Sequence, residues 1–421
     1  MDKPLSYNKE IINWGYLLGY FCLFLVLPPI IGLPVILYMV WKKNHPKYSD
    51  YLLLMACIAI YMGAINATKA PNGDQVNYYV AYMNVPVIGI FKSLVYIYGT
   101  DYYVDSRKVN ISGEFMNGVY NYFGYYLTFG YYPLFAAIYT FVEYMLIYMG
   151  LYKVFRKVQM PKYPIVCGIL TVSFFYLFFQ YTLHIQKQFF AQAIMMYVLG
   201  SYAEKGKMTM KLWLIAFIAF FTHASTGLFF PFLIVKTLRG RLSKKGLLLL
   251  SGLLFLFIYY GPQMASNVAL NNSDAVSYGL KRFADSDSDT DGGTLVMSQV
   301  LVIAIPMFLI VFIQLWLKRK VVIEKSQAFI LNITLLLLLS VAAMYNKPLA
   351  QYRYFMMLLA FMPFVYPYIS SNITRRNHWL IAISFVMVVW FYVQFSSIIW
   401  DYAPEWQIIV YPPIGLIAKG F

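Results

Sequence analysis

The sequence predicts an all-α integral membrane protein with about ten or eleven transmembrane helices. Of its 421 residues, 61% are hydrophobic and only 12% are charged. Apolar runs of about 15–25 residues recur along the whole chain, which is the length that a helix needs to cross a bilayer. One water-soluble core cannot bury so much apolar surface. We therefore expect a single polytopic membrane domain over residues 1–421.

The positive charges predict the topology. Of the 33 lysines and arginines, 21 fall in six short loops: 42–49, 152–162, 204–211, 236–245, 318–325 and 372–378. Loops of this kind face the cytoplasm under the positive-inside rule. The net charge of +16 is then explained by topology, and nucleic-acid binding is not expected.

The individual elements follow in chain order. The first apolar run, 15–41, has no small-residue cleavage site and predicts a retained span that begins outside the cytoplasm. Residues 69–130 and 261–296 form extracytoplasmic elaborations, and aromatic stretches at 76–98 and 113–131 indicate amphipathic helices at the outer interface. The remaining predicted spans are 51–68, 131–151, 163–181, 188–203, 246–260, 297–317, 326–344, 353–370 and 378–397.

Residues 212–235 need a different path because basic clusters lie on both sides of them. A re-entrant hairpin that turns near Thr222–Thr226 keeps both clusters in the cytoplasm. Non-helical backbone at membrane depth is tolerated only where protein or a water-filled cavity surrounds it. This makes His223 a candidate site residue, although a histidine there can also be an ordinary core residue.

Four more polar residues are candidates on the predicted topology. Asp74, on a turn, could act as a general base or simply cap the next helix. Lys187 at a helix start suits a phosphate, although it could also reach lipid headgroups. Arg353 begins a span on the outer side, where its charge indicates an anionic partner. Glu143 lies mid-span, and an intramembrane carboxyl is a functional hypothesis or a hydrogen-bonded helix contact.

No metal or cofactor is expected. Asp287, Asp289, Asp291 and Gly292, in the acidic run Asp285–Asp291, match the first half of a calcium loop, but Ser298 stands where the last acidic ligand belongs. We expect a solvated loop there. The chain contains no Walker loop, dinucleotide fingerprint, nucleophile elbow or zinc signature.

Five pieces in order, over about residues 60–365, resemble the EpsG-type family of Wzy-like polysaccharide polymerases. They are Lys69 with Gly73, Asp74 and Tyr78; Glu114; Gln186-Lys187-Gln188 at a helix start; Phe221 to Ser225 around His223; and Tyr352-Arg353-Tyr354. The family usually has arginine where this chain has Lys69 and Lys187. Charge is kept at both sites, but the bidentate guanidinium is lost.

The resemblance implies a GT-C-like fold in a bacterial cytoplasmic (inner) membrane. It also implies transfer of a glycan from undecaprenyl diphosphate onto the next lipid-linked repeat unit, outside the cytoplasm, without a cofactor. The implied roles are diphosphate binding by Lys187, Arg353 and Lys69, a base among His223, Asp74 and Glu114, and substrate binding by Tyr78, Gln186, Gln188 and Tyr352. The implied partners are the lipid-linked oligosaccharide, membrane lipid, a chain-length regulator and a flippase.

Three other functions remain open. An O-antigen ligase or another lipid-linked-sugar glycosyltransferase would share the outer cations and aromatic residues. A flippase or transporter would place charges in the middle of the membrane and often has two related halves, whereas here only Glu143 is deep and no internal repeat is evident. An acyltransferase would need His223 as its catalytic histidine.

Overall fold

The computed structural model describes residues 12–72, 74–94, 115–182, 186–269, 297–318, 323–345, 348–370, 372–398 and 401–420. Helices are the only regular secondary structure in these ranges. The first ten are α1 (Trp14–Val26), α2 (Pro29–Lys42), α3 (Tyr48–Ala67), α4 (Asp74–Met83), α5 (Val85–Ser93), α6 (Met116–Leu127), α7 (Tyr132–Lys157), α8 (Lys162–Phe174), α9 (Tyr176–Thr182) and α10 (Gln186–Lys205). The others are α11 (Met210–Thr222), α12 (Phe230–Ile234), α13 (Lys244–Ala269), α14 (Met297–Phe312), α15 (Lys325–Ala343), α16 (Pro348–Val365), α17 (Ile373–Gln394), α18 (Glu405–Val410) and α19 (Pro413–Lys419).

Six described helical segments are long and apolar enough to cross a membrane. They are Tyr48–Ala67, Tyr132–Lys157, Lys244–Gly261, Ser298–Leu317, Lys325–Ala343 and Ile373–Ser397. The predicted all-helical, multi-pass class is thereby confirmed. Other apolar runs form shorter helices, as at 163–181, where Phe175 is extended between α8 and α9. The total of ten or eleven spans stays a prediction.

The basic loops gather at one end of the bundle, which we call the basic end. Direct contacts join five of the six loops: Lys162 to the carbonyls of Trp41 and Lys43, Lys153 and Arg156 to Glu204, Arg239 to the carbonyl of Gly206, Arg241 to the carbonyl of Gln314, and Lys157 to Glu324. Because these loops were predicted to face one side of the membrane, their assembly at one end agrees with the predicted topology from residue 42 onward.

The opposite end of the bundle, which we call the aromatic end, is fixed by how α3, α7 and α10 pack. The Asn66 side chain, near the end of α3, donates to Thr140 Oγ1 of α7 at 2.8 Å, while Tyr48 at the start of α3 packs against Tyr152 toward the end of α7 at 5.2 Å, so these two helices are antiparallel. Helices α7 and α10 are parallel, since Tyr139 stacks on Phe190 at 4.2 Å while Lys153 pairs with Glu204. The end of α3 and the starts of α7 and α10 therefore meet at the aromatic end.

The prediction of one span over residues 15–41 is wrong. The Tyr16 hydroxyl and Lys43 Nζ both donate to Asp50 Oδ1, at 3.3 and 2.6 Å. Both termini of the run therefore lie at the basic end. The chain breaks at Pro28 and Pro29, because proline has no N–H to continue a helix and disfavours helical backbone in the residue before it. Helices α1 and α2 form a hairpin instead of one span.

This hairpin predicts a labelling pattern. In a background free of the three native cysteines, Trp14→Cys and Lys42→Cys should react with an impermeant maleimide from the same side of the membrane. Phe129→Cys, which replaces a side chain 93% exposed beyond α6, should react only from the other side. The measurement is labelling in sealed vesicles of known orientation. If Trp14→Cys instead reacted from the same side as Phe129→Cys, residues 15–41 would form a single span.

The segment that was predicted to re-enter the membrane begins with α11 and bends at His223. A 3₁₀ turn (Ala224–Phe229) and α12 follow, and Arg239 then reaches back to the carbonyl of Gly206. The segment thus starts and finishes at the basic end, with His223 between its two arms. A re-entrant path through a bilayer stays a prediction.

Two glycines allow α7 and α10 to touch along their backbones. A Cβ added at Gly200 would lie 2.4 Å from the Gly150 carbonyl oxygen, and one added at Gly150 would lie 2.6 Å from the Met196 carbonyl oxygen. Small residues permit this kind of close helix approach in membranes, where dispersion contacts drive helix association. The contact holds the two parallel helices at a fixed depth relative to each other, and both begin at the aromatic end.

Candidate functional site

The wall of the candidate site is built from rings at the aromatic end. Tyr120 of α6 hydrogen-bonds Thr222 of α11 through their hydroxyls at 2.8 Å. Its ring packs edge-on against Phe190 at 5.1 Å, and Phe190 stacks on Tyr139. Burial raises the pKa of Tyr120 to about 12, so its hydroxyl stays protonated at neutral pH. These contacts join α6, α7, α10 and α11 around one place.

Lys187 lies in the first turn of α10 and is only 5% exposed. Its neighbour Gln188 is also buried, and Phe189 packs edge-on against Phe178 of α9 at 5.0 Å. The free N–H groups of a helix start carry partial positive charge, and a lysine there adds a full charge. This end of α10 therefore suits an anion such as a phosphate. Gln186 begins the helix, but its side chain lies outside the described residues.

His223 is buried where α11 ends. Its Nδ1 accepts a hydrogen bond from the Ser225 backbone N–H at 3.3 Å and lies 2.9 Å from the Ser225 hydroxyl, while the Thr226 hydroxyl donates to the His223 carbonyl at 3.1 Å. An acceptor at Nδ1 leaves the proton of a neutral imidazole on Nε2. The Nε2–H is thus a hydrogen-bond donor in this arrangement.

Lys69 is 3% exposed and lies just beyond the end of α3. A segment from far along the sequence covers it: the Ala70 N–H donates to the Asp401 carbonyl at 3.0 Å, the Ala403 N–H donates to Thr68 Oγ1 at 3.2 Å, and the Tyr402 ring centre lies 5.8 Å from Lys69 Nζ. Burial lowers the pKa of Lys69 to about 7, because removing a charged amine from water disfavours its protonated form. Its charge therefore changes near neutral pH.

Arg353 and Tyr352 lie in the first turns of α16, at the same end. Phe364, near the other end of this helix, contacts Phe155 at 5.9 Å beside the basic loops, which sets the direction of α16. Tyr352 is buried and Arg353 is half-buried. Helix α9 packs against α16 and also carries Phe179, whose ring contacts Tyr402 at 5.6 Å. Rings of α9 thus lie between the elements that carry the cations.

Of the remaining candidates, some lie in α4 and others lie outside the described residues. Tyr78, in α4, is half-buried, and its neighbour Tyr79 packs edge-on against Tyr132 of α7 at 5.0 Å, so α4 approaches the wall. Asp74 begins α4, but its side chain lies outside the described residues. Glu114 and the acidic run Asp285–Asp291 lie outside them altogether. Within the described part of the chain, no group of three or more histidine, cysteine, aspartate or glutamate residues could hold a metal ion.

Glu143 is fully buried in the middle of α7, one turn beyond Tyr139. Its Oε1 atom has no hydrogen-bond partner among the described residues. Tyr139 lies four residues before Glu143 on this helix, and its ring contacts the Tyr120 ring edge-on at 6.3 Å. A deep carboxyl thus lies directly beneath the aromatic wall.

The comparison with protein families decides the identity of the chain. The EpsG family model matches residues 92–411, about three quarters of the chain. The chain belongs to the EpsG family. The match begins later and ends later than the resemblance seen in the sequence, so Lys69, Asp74 and Tyr78 lie outside it, while Glu114, Lys187, His223 and Arg353 lie inside. No curated protein and no solved structure matches the chain.

Membership of the EpsG family indicates a polymerase-type function in polysaccharide biosynthesis. The aromatic end brings Lys69, Lys187 and His223 to one end of the bundle, each buried. Sequence reasoning did not find Tyr402 or Tyr120 among the forty tyrosines, because nothing in their local sequence distinguishes them. Only the packing shows that one covers Lys69 and the other joins α6 to α11.

Proposed function

We propose that this EpsG family member is a polysaccharide polymerase. It transfers a glycan from undecaprenyl diphosphate onto a hydroxyl of the next lipid-linked repeat unit. The observation that supports the proposal is the buried Lys187 at the start of α10, at the end of the bundle that also holds the aromatic wall and the buried His223. The positive-inside rule assigns the basic end to the cytoplasm, so the proposal places the reaction at the extracytoplasmic face of the cytoplasmic membrane.

The proposed reaction requires positive charge near the diphosphate leaving group. Negative charge builds up on the leaving phosphate as its bond to the sugar breaks, and preorganised cations in a dry site stabilise that charge. In the proposal, Lys187 and the N–H groups of α10 bind the diphosphate, with Arg353 and Lys69 contributing. In the proposal, the substrate also contacts Gln186 and Gln188, which flank Lys187 on α10, and Tyr352, which precedes Arg353 on α16. The reaction then needs no divalent metal.

The acceptor hydroxyl must lose a proton to a base. Because Nδ1 of His223 accepts from Ser225, the arrangement favours His223 as a donor to the diphosphate through Nε2. In the proposal, Asp74 or Glu114 is therefore the general base. The tyrosine rings, including Tyr78, supply apolar faces and hydroxyls for sugar rings.

An extension assay tests the proposal. Purified protein in liposomes receives its lipid-linked repeat unit, and the products are sized on a gel with and without EDTA. We expect a ladder of products that survives EDTA and that His223→Ala, Arg353→Ala, Asp74→Asn or Glu114→Gln weakens. The matched controls are His378→Ala and Arg375→Ala, which remove exposed side chains near the start of α17. A single added unit without a ladder would favour another glycosyl transfer.

One observation favours a second candidate. The buried Glu143, with no partner for Oε1 among the described residues, is the kind of intramembrane carboxyl that transporters use. A lipid-linked oligosaccharide flippase would move the substrate across the liposome bilayer without extending it. Glu143→Gln would then stop this movement, whereas a polymerase keeps extending chains in that variant.

The lowered pKa of Lys69 predicts a pH dependence. The protonated form binds a diphosphate, so kcat/KM for the lipid-linked donor should fall as pH rises above about 7. An arginine keeps its charge throughout this range, so Lys69→Arg should hold its kcat/KM constant from pH 6.5 to pH 8.5, to within about twofold. Initial rates at subsaturating donor measure this. Identical profiles for both proteins would show that the charge of Lys69 is not required.

A further inference from the structure

An apolar groove runs down one side of the bundle, between α14, α16 and α17. Its volume is about 520 Å³, within the range of small-molecule binding sites. It is lined along α14 from Ser298 to Ile310, which at 1.5 Å per residue is about 18 Å. That is more than half of the hydrocarbon thickness of a bilayer, about 30 Å. The groove therefore has the length to hold an extended lipid chain along the membrane normal.

The lining is mainly apolar and is polar at one end. Most of it consists of aliphatic, aromatic and thioether side chains, and the thioethers Met307, Met362 and Met387 adapt to irregular chains. At the mouth lie Ser298 and Gln299, and the buried Oε1 of Gln299 has no hydrogen-bond partner among the described residues. A ligand with an apolar body and a polar head matches this gradient.

The polar mouth of the groove is at the aromatic end. Helix α14 runs from Ser298 toward Gln314, whose carbonyl accepts from Arg241 at the basic end. Leu177 of α9 also lines the groove, and α10 with Lys187 follows α9 in the chain. Helix α16 contributes Met362 and begins near Arg353, about 14 Å away along its axis. Two helices thus lead from the groove to the cations.

The groove is also open to lipid. Val302, which lines it, is 72% exposed, and the outer faces of α14 and α17 carry further exposed aliphatic and aromatic side chains. A chain can enter sideways from the bilayer without crossing a polar barrier.

We propose that this groove binds the polyisoprenyl chain of the lipid-linked substrate, with its diphosphate held toward Lys187 and Arg353. This inference rests on the proposed function for the choice of lipid. A phospholipid acyl chain shares the apolar chemistry, but helices that line the groove lead toward Lys187 and Arg353, whose charges suit a diphosphate. The groove then sets the position of the scissile bond by the depth to which the chain inserts.

Photo-crosslinking tests the groove without turnover. Protein in phosphatidylcholine nanodiscs receives undecaprenyl phosphate that carries a diazirine on its chain, and labelled peptides are mapped by mass spectrometry. We expect label on α14 and α17. Val302→Trp, which fills the groove from an exposed position, should reduce labelling about tenfold or more. Ile305→Trp is the matched control, since Ile305 is 50% exposed on the same helix and does not line the groove.

Three results would overturn the inference: label outside the groove, equal labelling of the two tryptophan variants, or loss of label to added phosphatidylglycerol as readily as to unlabelled undecaprenyl phosphate. Ile310→Trp fills the groove at a second position, should Val302→Trp not fold. Label in the groove without chain extension would leave the groove standing and reject the polymerase. Chain extension at the normal rate in Val302→Trp would reject the groove and leave the proposed polymerase activity standing.

Discussion

Replacing Lys187 with methionine is expected to lower the rate of chain extension by about 100-fold or more, the usual loss when one preorganised donor to a developing negative charge is removed. Methionine fills a similar volume, so the buried start of α10 should keep its packing. Lys187→Arg keeps the charge and should retain activity to within about tenfold. Initial rates of extension, at saturating lipid-linked donor, measure both.

The matched control is Lys211→Met, which removes an exposed lysine from the first turn of α11 at the basic end. It should extend chains at the normal rate. The thermal transition of Lys187→Met is compared with that of the unaltered protein, so that a loss of rate is distinguished from a loss of folding. If a stably folded Lys187→Met protein still extends chains at the normal rate, the diphosphate does not bind at this end of α10.

Replacing Gly200 with leucine is expected to prevent stable folding. The first added carbon would meet the Gly150 carbonyl oxygen at 2.4 Å and its Cα at 2.7 Å, and both are backbone atoms that cannot rotate away. Helices α7 and α10 would have to separate along their length, and Tyr139 would lose its stacking on Phe190. Overpacking typically costs about 1–3 kcal/mol, and a backbone clash of this kind should reach the upper end or exceed it.

The measurement is the folded fraction after detergent extraction, by size-exclusion chromatography and thermal denaturation. Gly252→Leu in α13 is the control, because a Cβ there meets nothing within 4 Å and the residue is exposed. It should fold normally. If Gly200→Leu were as stable as Gly252→Leu, the close contact between α7 and α10 would be wrong.

Much of the fold follows from apolar runs and basic loops. The predicted span 326–344 corresponds to α15 to within one residue at each end, and the predicted span 131–151 lies within α7 except for its first residue. The basic loops gather at one end as their charge predicts. The error at 15–41 has a physical cause, since both arms of the hairpin are apolar around their whole circumference. The length of an apolar segment does not distinguish a hairpin of two short helices from one spanning helix. In this segment, only the pair of prolines indicates the turn.

The candidate site was predictable in part for a different reason. Lys187 and His223 could be expected at one end because topology alone places the ends of spans. Their surroundings could not, because contacts such as that of Tyr402 with Lys69 join residues far apart in the sequence. The groove was equally hidden, since its lining residues look like any other residues of a membrane span.

The cover over Lys69 has a consequence for the order of events during synthesis. Residues 401–403 close over this lysine, and Tyr61 donates from its hydroxyl to the Ile408 carbonyl at 3.1 Å, which ties the same late segment to α3. A ribosome makes α3 long before this segment. The buried environment that lowers the pKa of Lys69 therefore forms only after the intervening helices have been made and the segment around Tyr402 has packed against α3. A contact between distant parts of the chain thus completes the surroundings of this amine.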